Sequence, residues 1–75
     1  MYNEVKEVGK VRYTLRELRA RKNKTQEEVA KSLGIATQTY NAWERDISNV
    51  GISKVYAVAS YFGVKIDEIQ IEKVT

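Results

Sequence analysis

The 75-residue chain contains no cysteine, no histidine and no proline. Without cysteine there is no disulfide, thiol nucleophile or thiolate ligand, and without histidine the commonest neutral-pH general base and zinc ligand is missing too. Zinc-finger and Cys-His or Ser-His-Asp arrangements are excluded. No catalytic constellation can be assembled from what remains, so the chain is expected to be no enzyme and to carry no metal or cofactor. The lack of proline, of low-complexity stretches and of internal repeats favours one continuous unit over two linked modules. No apolar run approaches the length of a membrane span, and none follows a basic N-terminus as a secretory signal would. A cytoplasmic protein with no membrane partner is the expectation, and no small-molecule ligand is evident.

Hydrophobic residues make up 43% and charged residues 31%, the balance of a small globular domain with room for one core. At this size stability needs close helix packing or a partner subunit. The formal charge of +3 is modest, but it is unevenly spread. Residues 1–40 hold nine Lys/Arg against five Asp/Glu, whereas residues 41–75 hold four against five. That basic first half suits a polyanion, although a solvated helix face accounts for it equally well.

Leu15 and Leu18 recur at helical spacing among charged neighbours, predicting a first helix over Tyr13 to Lys22 that ends at Asn23 and Lys24. Thr25 and Glu28 form a capping-box pattern that starts a second helix, with Val29, Ala30 and Leu33 on one face and Gly34 at its end. A third helix begins near Thr37. Its apolar stripe is Ala36, Tyr40 and Trp43, leaving Thr37, Gln38 and Asn41 on the wet side. After a loop through Ile47 and Val50, a fourth helix carries Ile52, Val55, Tyr56, Ala59 and Phe62 and stops at Gly63. Ile66 to Ile69 fit a short fifth helix with an acidic first turn. Residues 1–12, with Val5, Val8 and Val11, and residues 70–75, with Ile71 and Val74, read either as frayed tails or as a short pair of strands.

The run from Gln26 to Arg45, QEEVAKSLGIATQTYNAWER, resembles the helix-turn-helix of the Cro and phage-repressor-like (Xre) family. The likeness extends over about residues 13–69, through LRELR upstream and YFGVKIDEI downstream. It implies an all-α, five-helix, lambda-repressor-like DNA-binding domain with the helix-turn-helix at helices 2 and 3. Ala30 would be small because the two helices cross there, Gly34 would sit in the turn, and Val29, Leu33, Ile35, Tyr40 and Trp43 would fill the wedge. An aromatic pair near basic residues could instead stack single-stranded bases, but the inward spacing of Tyr40 and Trp43 favours packing.

The resemblance also implies roles for single residues. Helix 3 of the family enters the major groove, which assigns Thr37, Gln38 and Asn41 to base edges, with a phosphate as the alternative for Asn41 and the DNA backbone as the alternative for the Thr37 hydroxyl. Gln26, at the start of helix 2, is expected to donate to a phosphate, with Thr39, Lys24, Arg45, Asn49 and either Arg12 or Lys10 as further backbone contacts. Arg19 and Glu44 correspond to a structural ion pair. Three positions depart from the family pattern: Ala36 and Lys65 stand where caps are frequent, and Asp46 replaces a frequent glycine and adds negative charge near the expected phosphates.

These readings converge on a sequence-specific double-stranded DNA-binding transcriptional regulator, a repressor at a palindromic operator. A homodimer is expected, because one recognition helix reads too few base pairs. Its contact is expected in the C-terminal third, where Tyr61, Val64, Ile66, Ile69, Ile71 and Val74 exceed what a one-turn helix can bury. The alternative is a protein-interaction or antitoxin-like module whose DNA binding depends on a partner protein.

Overall fold

The computed structural model describes residues 11–71. It contains four α-helices, α1 (Leu15–Lys22), α2 (Gln26–Leu33), α3 (Thr37–Arg45) and α4 (Ile52–Phe62), followed by a single 3-10 turn at Ile66–Glu68. Local chemistry sets most of the boundaries. The Thr25 hydroxyl accepts from Glu28 N while Glu28 Oε1 accepts from Thr25 N, closing a reciprocal cap on α2. The same pattern, Thr14 with Glu17, starts α1 at Leu15 rather than at Tyr13. Ala36 offers no side-chain cap to α3, as its methyl group dictates.

Asn23, Gly34 and Gly63 close α1, α2 and α4 in the left-handed region, at φ 58°, 74° and 71°. Around Gly34 there is open space where a β-carbon would lie, so the requirement for glycine there is conformational rather than steric. Gly34→Val is therefore expected to lower stability by about 1–3 kcal/mol, the usual cost of a disfavoured φ/ψ region. Gly34→Asn should cost much less, since asparagine already occupies this conformation at position 23. Equal melting temperatures for the two variants would show that the turn does not hold the left-handed geometry.

The core is formed by Leu15, Leu18, Val29, Ala30, Tyr40, Ile47, Val55, Val58, Ala59 and Ile69, all buried. Leu33, Ile35 and Trp43 pack against it half-buried. Three expectations need correction, and one loop residue adds to the core. Ala36 is exposed, because it stands outside the helix whose stripe it was expected to extend. On α4, Val58 is buried while Ile52 and Tyr56 are 61% and 57% exposed, so the core-facing arc is rolled toward Val55, Val58 and Ala59. Ile47, in the loop, is buried. The fifth helix is only one 3-10 turn, because the chain becomes extended again at Ile69 (φ −96°, ψ 132°).

That extension has a partner. Tyr13 N donates to Glu68 O and Gln70 N donates to Tyr13 O, both at 2.8 Å, forming one parallel bridge between Tyr13 and Ile69. Among the described residues this single bridge is the only β pairing, and no strand forms. The expectations for Val5, Val8, Lys10 and Val74 lie outside the described residues. Arg21 stacks over the Tyr13 ring at 4.7 Å and Lys22 over the Tyr61 ring at 5.0 Å, covering both aromatics with cations. Among the described residues, no helix is long and apolar enough to cross a membrane.

Candidate nucleic-acid interface

Tyr40 and Trp43 fix the roll of α3. With Tyr40 fully buried and Trp43 half-buried, the opposite arc of the helix turns outward. Thr37, Gln38 and Thr39 are exposed in its first turn, and Arg45 is exposed at its end. Thr37, Asn41 and Glu44 follow at spacings of four and three, so they share one stripe beside the exposed arc. This stripe meets the start of α2, because Asn41 Nδ2 donates to Gln26 Oε1 at 3.0 Å. Lys24 and Asn49 are exposed on the segments preceding α2 and following α3, and Arg12 is exposed ahead of α1.

Beneath the stripe lies a polar network. The Glu44 side chain is only 2% exposed and accepts from Arg19 through both Nε and, at 3.3 Å, Nη2. Gln26 Nε2 donates to Glu44 Oε1 at 2.9 Å, and the more exposed Arg16 has its Nε 4.0 Å from the same oxygen. Arg19 Nη1 also donates to the Lys24 carbonyl at 3.0 Å, which ties the α1–α2 loop to the pair. Five residues named from the sequence, Arg19, Lys24, Gln26, Asn41 and Glu44, are thereby joined in one cluster.

Charge follows from this arrangement. Burial acts to raise the Glu44 carboxyl, but the Arg19 and Gln26 hydrogen bonds, the neighbouring Tyr40 hydroxyl and the Arg19 charge outweigh it and hold the group below its ordinary range. Arg19 is raised in turn, chiefly by its hydrogen bonds to Glu44. Burial, then the adjacent Glu44 carboxylate, pushes the Tyr40 phenol well above its usual value. Its hydroxyl is buried without a hydrogen bond of good geometry. Asp46 is engaged locally: its Oδ1 accepts from Ser48 N at 3.0 Å and from Ser48 Oγ at 2.6 Å, in an Asx-type turn that leads the chain out of α3.

The Arg19–Glu44 contact matches the expected pairing, whereas the two bonds of Gln26 were not anticipated. They join residues 18 and 15 positions apart, and no helical periodicity signals a contact at such separations. The only clue was chemical, an amide N–H donor at a helix start, able to hydrogen-bond a carboxylate on the helix packed against it. Of the expected DNA-contacting residues, Thr37, Gln38, Thr39, Lys24, Arg45 and Asn49 are exposed, whereas Gln26 and Asn41 are half-buried and bonded to each other.

The comparisons with known proteins agree with this architecture. The helix-turn-helix family model matches residues 15–69, which runs from the start of α1 to the Ile69 bridge. An uncharacterized HTH-type transcriptional regulator of Methanocaldococcus jannaschii is 40% identical over 57 residues, 76% of this chain and 86% of that protein. Another from Archaeoglobus fulgidus is 36% identical over 61 residues, 81% of this chain and 86% of its own length. The cryptic phage CTXphi transcriptional repressor RstR of Vibrio cholerae is 34% identical over 55 residues, 73% of this chain but only 50% of the repressor. No solved structure matches the chain. With the two-helix motif, its flanking helices and the match across residues 15–69 in agreement, the chain belongs to the Cro and phage-repressor-like (Xre) helix-turn-helix family.

Proposed function

We propose that the protein is a sequence-specific double-stranded DNA-binding regulator that represses by occupying an operator, with α3 lying in the major groove. The observation that carries this reading is the outward row of Thr37, Gln38 and Thr39 on a helix whose opposite face is locked by the buried Tyr40. In this reading Gln38 and Thr37 contact base edges, the Gln38 amide pairing bidentately with adenine. Thr39 lies on the flank of α3 and serves the sugar-phosphate backbone together with Lys24, Arg45, Asn49 and the N-terminus of α2 at Gln26. The similarity to a phage repressor supports the repressing role. Gln38→Ala is expected to weaken binding to the preferred site by about 1–3 kcal/mol and to leave binding to random duplex nearly unchanged. Titrating both duplexes at fixed salt checks it, and equal losses on the two would remove Gln38 from the base-reading set.

The regulator acts as a cytoplasmic homodimer in this proposal, since two recognition helices related by a two-fold axis read half-sites about 34 Å apart, enough for specificity. The apolar surplus behind the expected contact is smaller than the composition suggested. Ile69 is buried within the monomer, and Tyr61, Val64, Ile66 and Ile71 are half-buried. The same shrinkage weakens the partner-dependent, antitoxin-like alternative, which drew on the same residues. Sedimentation equilibrium at micromolar concentration, followed by a mobility shift of a palindromic duplex with the purified protein alone, tests both points. A monomer that binds one half-site overturns the dimer, and a shift that needs a second protein favours the alternative.

A further inference from the structure

The outer face of α4 carries no charge. The helix has 11 residues and a single charged one, Lys54, in a chain whose residues are 31% charged. Each residue turns an α-helix by about 100°, so Ile52, Tyr56 and Ser60 form one stripe flanked by Ser53 and Ala57, while Lys54 falls on a separate flank with Tyr61. All five residues of this arc are exposed, whereas Val55, Val58 and Ala59 face the core. The solvent-facing sides of α1 and α2 differ, with exposed Arg16, Glu17 and Arg21 on the first and Glu27, Glu28 and Lys31 on the second. Among the described residues the exposed large hydrophobics are Ile52, Tyr56 and Val11, so apart from the one ahead of α1 they are gathered on this face.

A second copy of the chain suits such a face. Contact across a two-fold axis sets a patch against itself, so charge of one sign repels its own image and an uncharged patch does not. The stripe is also self-complementary in size. Two α4 helices crossing antiparallel about Tyr56 place Ile52 against Ser60 of the second copy, bulk over a small side chain at both ends, and bring the two Tyr56 rings together at the axis.

We propose that this face of α4 is the contact between two copies of the chain on adjacent half-sites. Ile52, Ser53, Tyr56, Ala57 and Ser60 are far fewer than the roughly 20–30 residues a side of a stable interface, so the contact is too small to hold free chains together. On one duplex the two copies are already neighbours, and their high effective concentration lets a small contact count. It therefore acts as cooperativity between the two recognition helices. The inference rests on the proposed reading of two copies on one operator. It moves their contact from the C-terminal segment, where Ile69 is buried within the monomer, to the outer face of α4.

The test uses the full chain, Tyr56→Lys, Tyr56→Glu and an equimolar mixture of the two variants. A full site selected by the parent from a random duplex library is compared with a duplex holding one half-site. Tyr56 is 57% exposed, so both variants should melt close to the parent. Each variant alone sets like charges together at the axis and should bind the full site about tenfold more weakly or worse, with half-site affinity within about threefold of the parent. The mixture pairs opposite charges and should recover most of the full-site loss. The free parent is expected to sediment as a monomer at micromolar concentration. Variants that bind the full site as the parent does, a mixture no better than either variant alone, or a free dimer that Tyr56→Lys leaves intact overturns the inference while leaving the regulator reading in place. A parent that binds the full site no more tightly than the half-site overturns the reading of two copies as well.

Discussion

Replacing Arg19 by alanine is expected to lower the stability of the folded chain by about 2–4 kcal/mol without altering the base preference of the molecules that remain folded. The loss comes less from the missing attraction than from what is left behind. Glu44 stays almost fully buried with its charge, losing two of the hydrogen bonds that compensate its desolvation. A domain of this length has only about 4–11 kcal/mol of net stability, so the melting temperature should fall by roughly 10–20 °C. Arg19→Lys should recover part of it, because an ammonium restores the charge but not the two-pronged geometry. Base selection should persist because Thr37 and Gln38 are exposed in the first turn of α3, whereas Arg19 bonds to Glu44 and the Lys24 carbonyl. The same pair sets an acid limit. The Glu44 carboxyl titrates below its ordinary range in the folded chain, so its stabilisation is complete above the unfolded value of about 4.3 and is lost as pH falls through the folded value. Thermal melts from pH 7 to pH 2 should show this decline in the parent and a weaker one in Glu44→Gln. An Arg19→Ala protein that melts normally but no longer binds DNA would instead make Arg19 a phosphate contact.

Tyr40→Ala is the second large effect, with an expected loss of about 3–5 kcal/mol. The ring is among the largest fully buried side chains and stands where α3 meets the core, so truncation leaves a cavity that helix packing cannot close. Tyr40→Phe separates the ring from the hydroxyl. Because that hydroxyl lacks a well-directed partner, its removal should change stability by less than about 1 kcal/mol in either direction. Denaturant melts of the two variants decide between packing and nucleobase stacking. A stable Tyr40→Ala protein with weakened single-strand binding would place the ring on the surface.

The punctuation of this fold was legible in the sequence because it is local. Thr25 with Glu28, and Gly34 and Gly63 after apolar stripes, act within one turn of the chain, and α2 and the end of α4 fall where they predict, whereas the uncapped α3 was legible only from its apolar spacing. Thr14 and Glu17 spell the same cap and set the start of α1 at Leu15. The Arg19–Glu44 pair was legible only through resemblance to a family, since nothing in its spacing of 25 residues marks a contact. Periodicity identified α4 as amphipathic but placed its buried arc wrongly. Val58 faces the core and Ile52 and Tyr56 do not, because the roll of a helix is fixed by the elements packed against it. For the same reason Ile47 and Ile69, one in a loop and one at a bridge, joined the core only when the tertiary structure brought them there. The sequence by itself determined where helices begin and end and which residue types the outward face of α3 carries, because caps and side-chain spacing act over a few residues. Only the tertiary structure decided how α4 is rolled and that the Gln26 amide lies between Glu44 and Asn41, because those depend on distances between helices that no local pattern encodes.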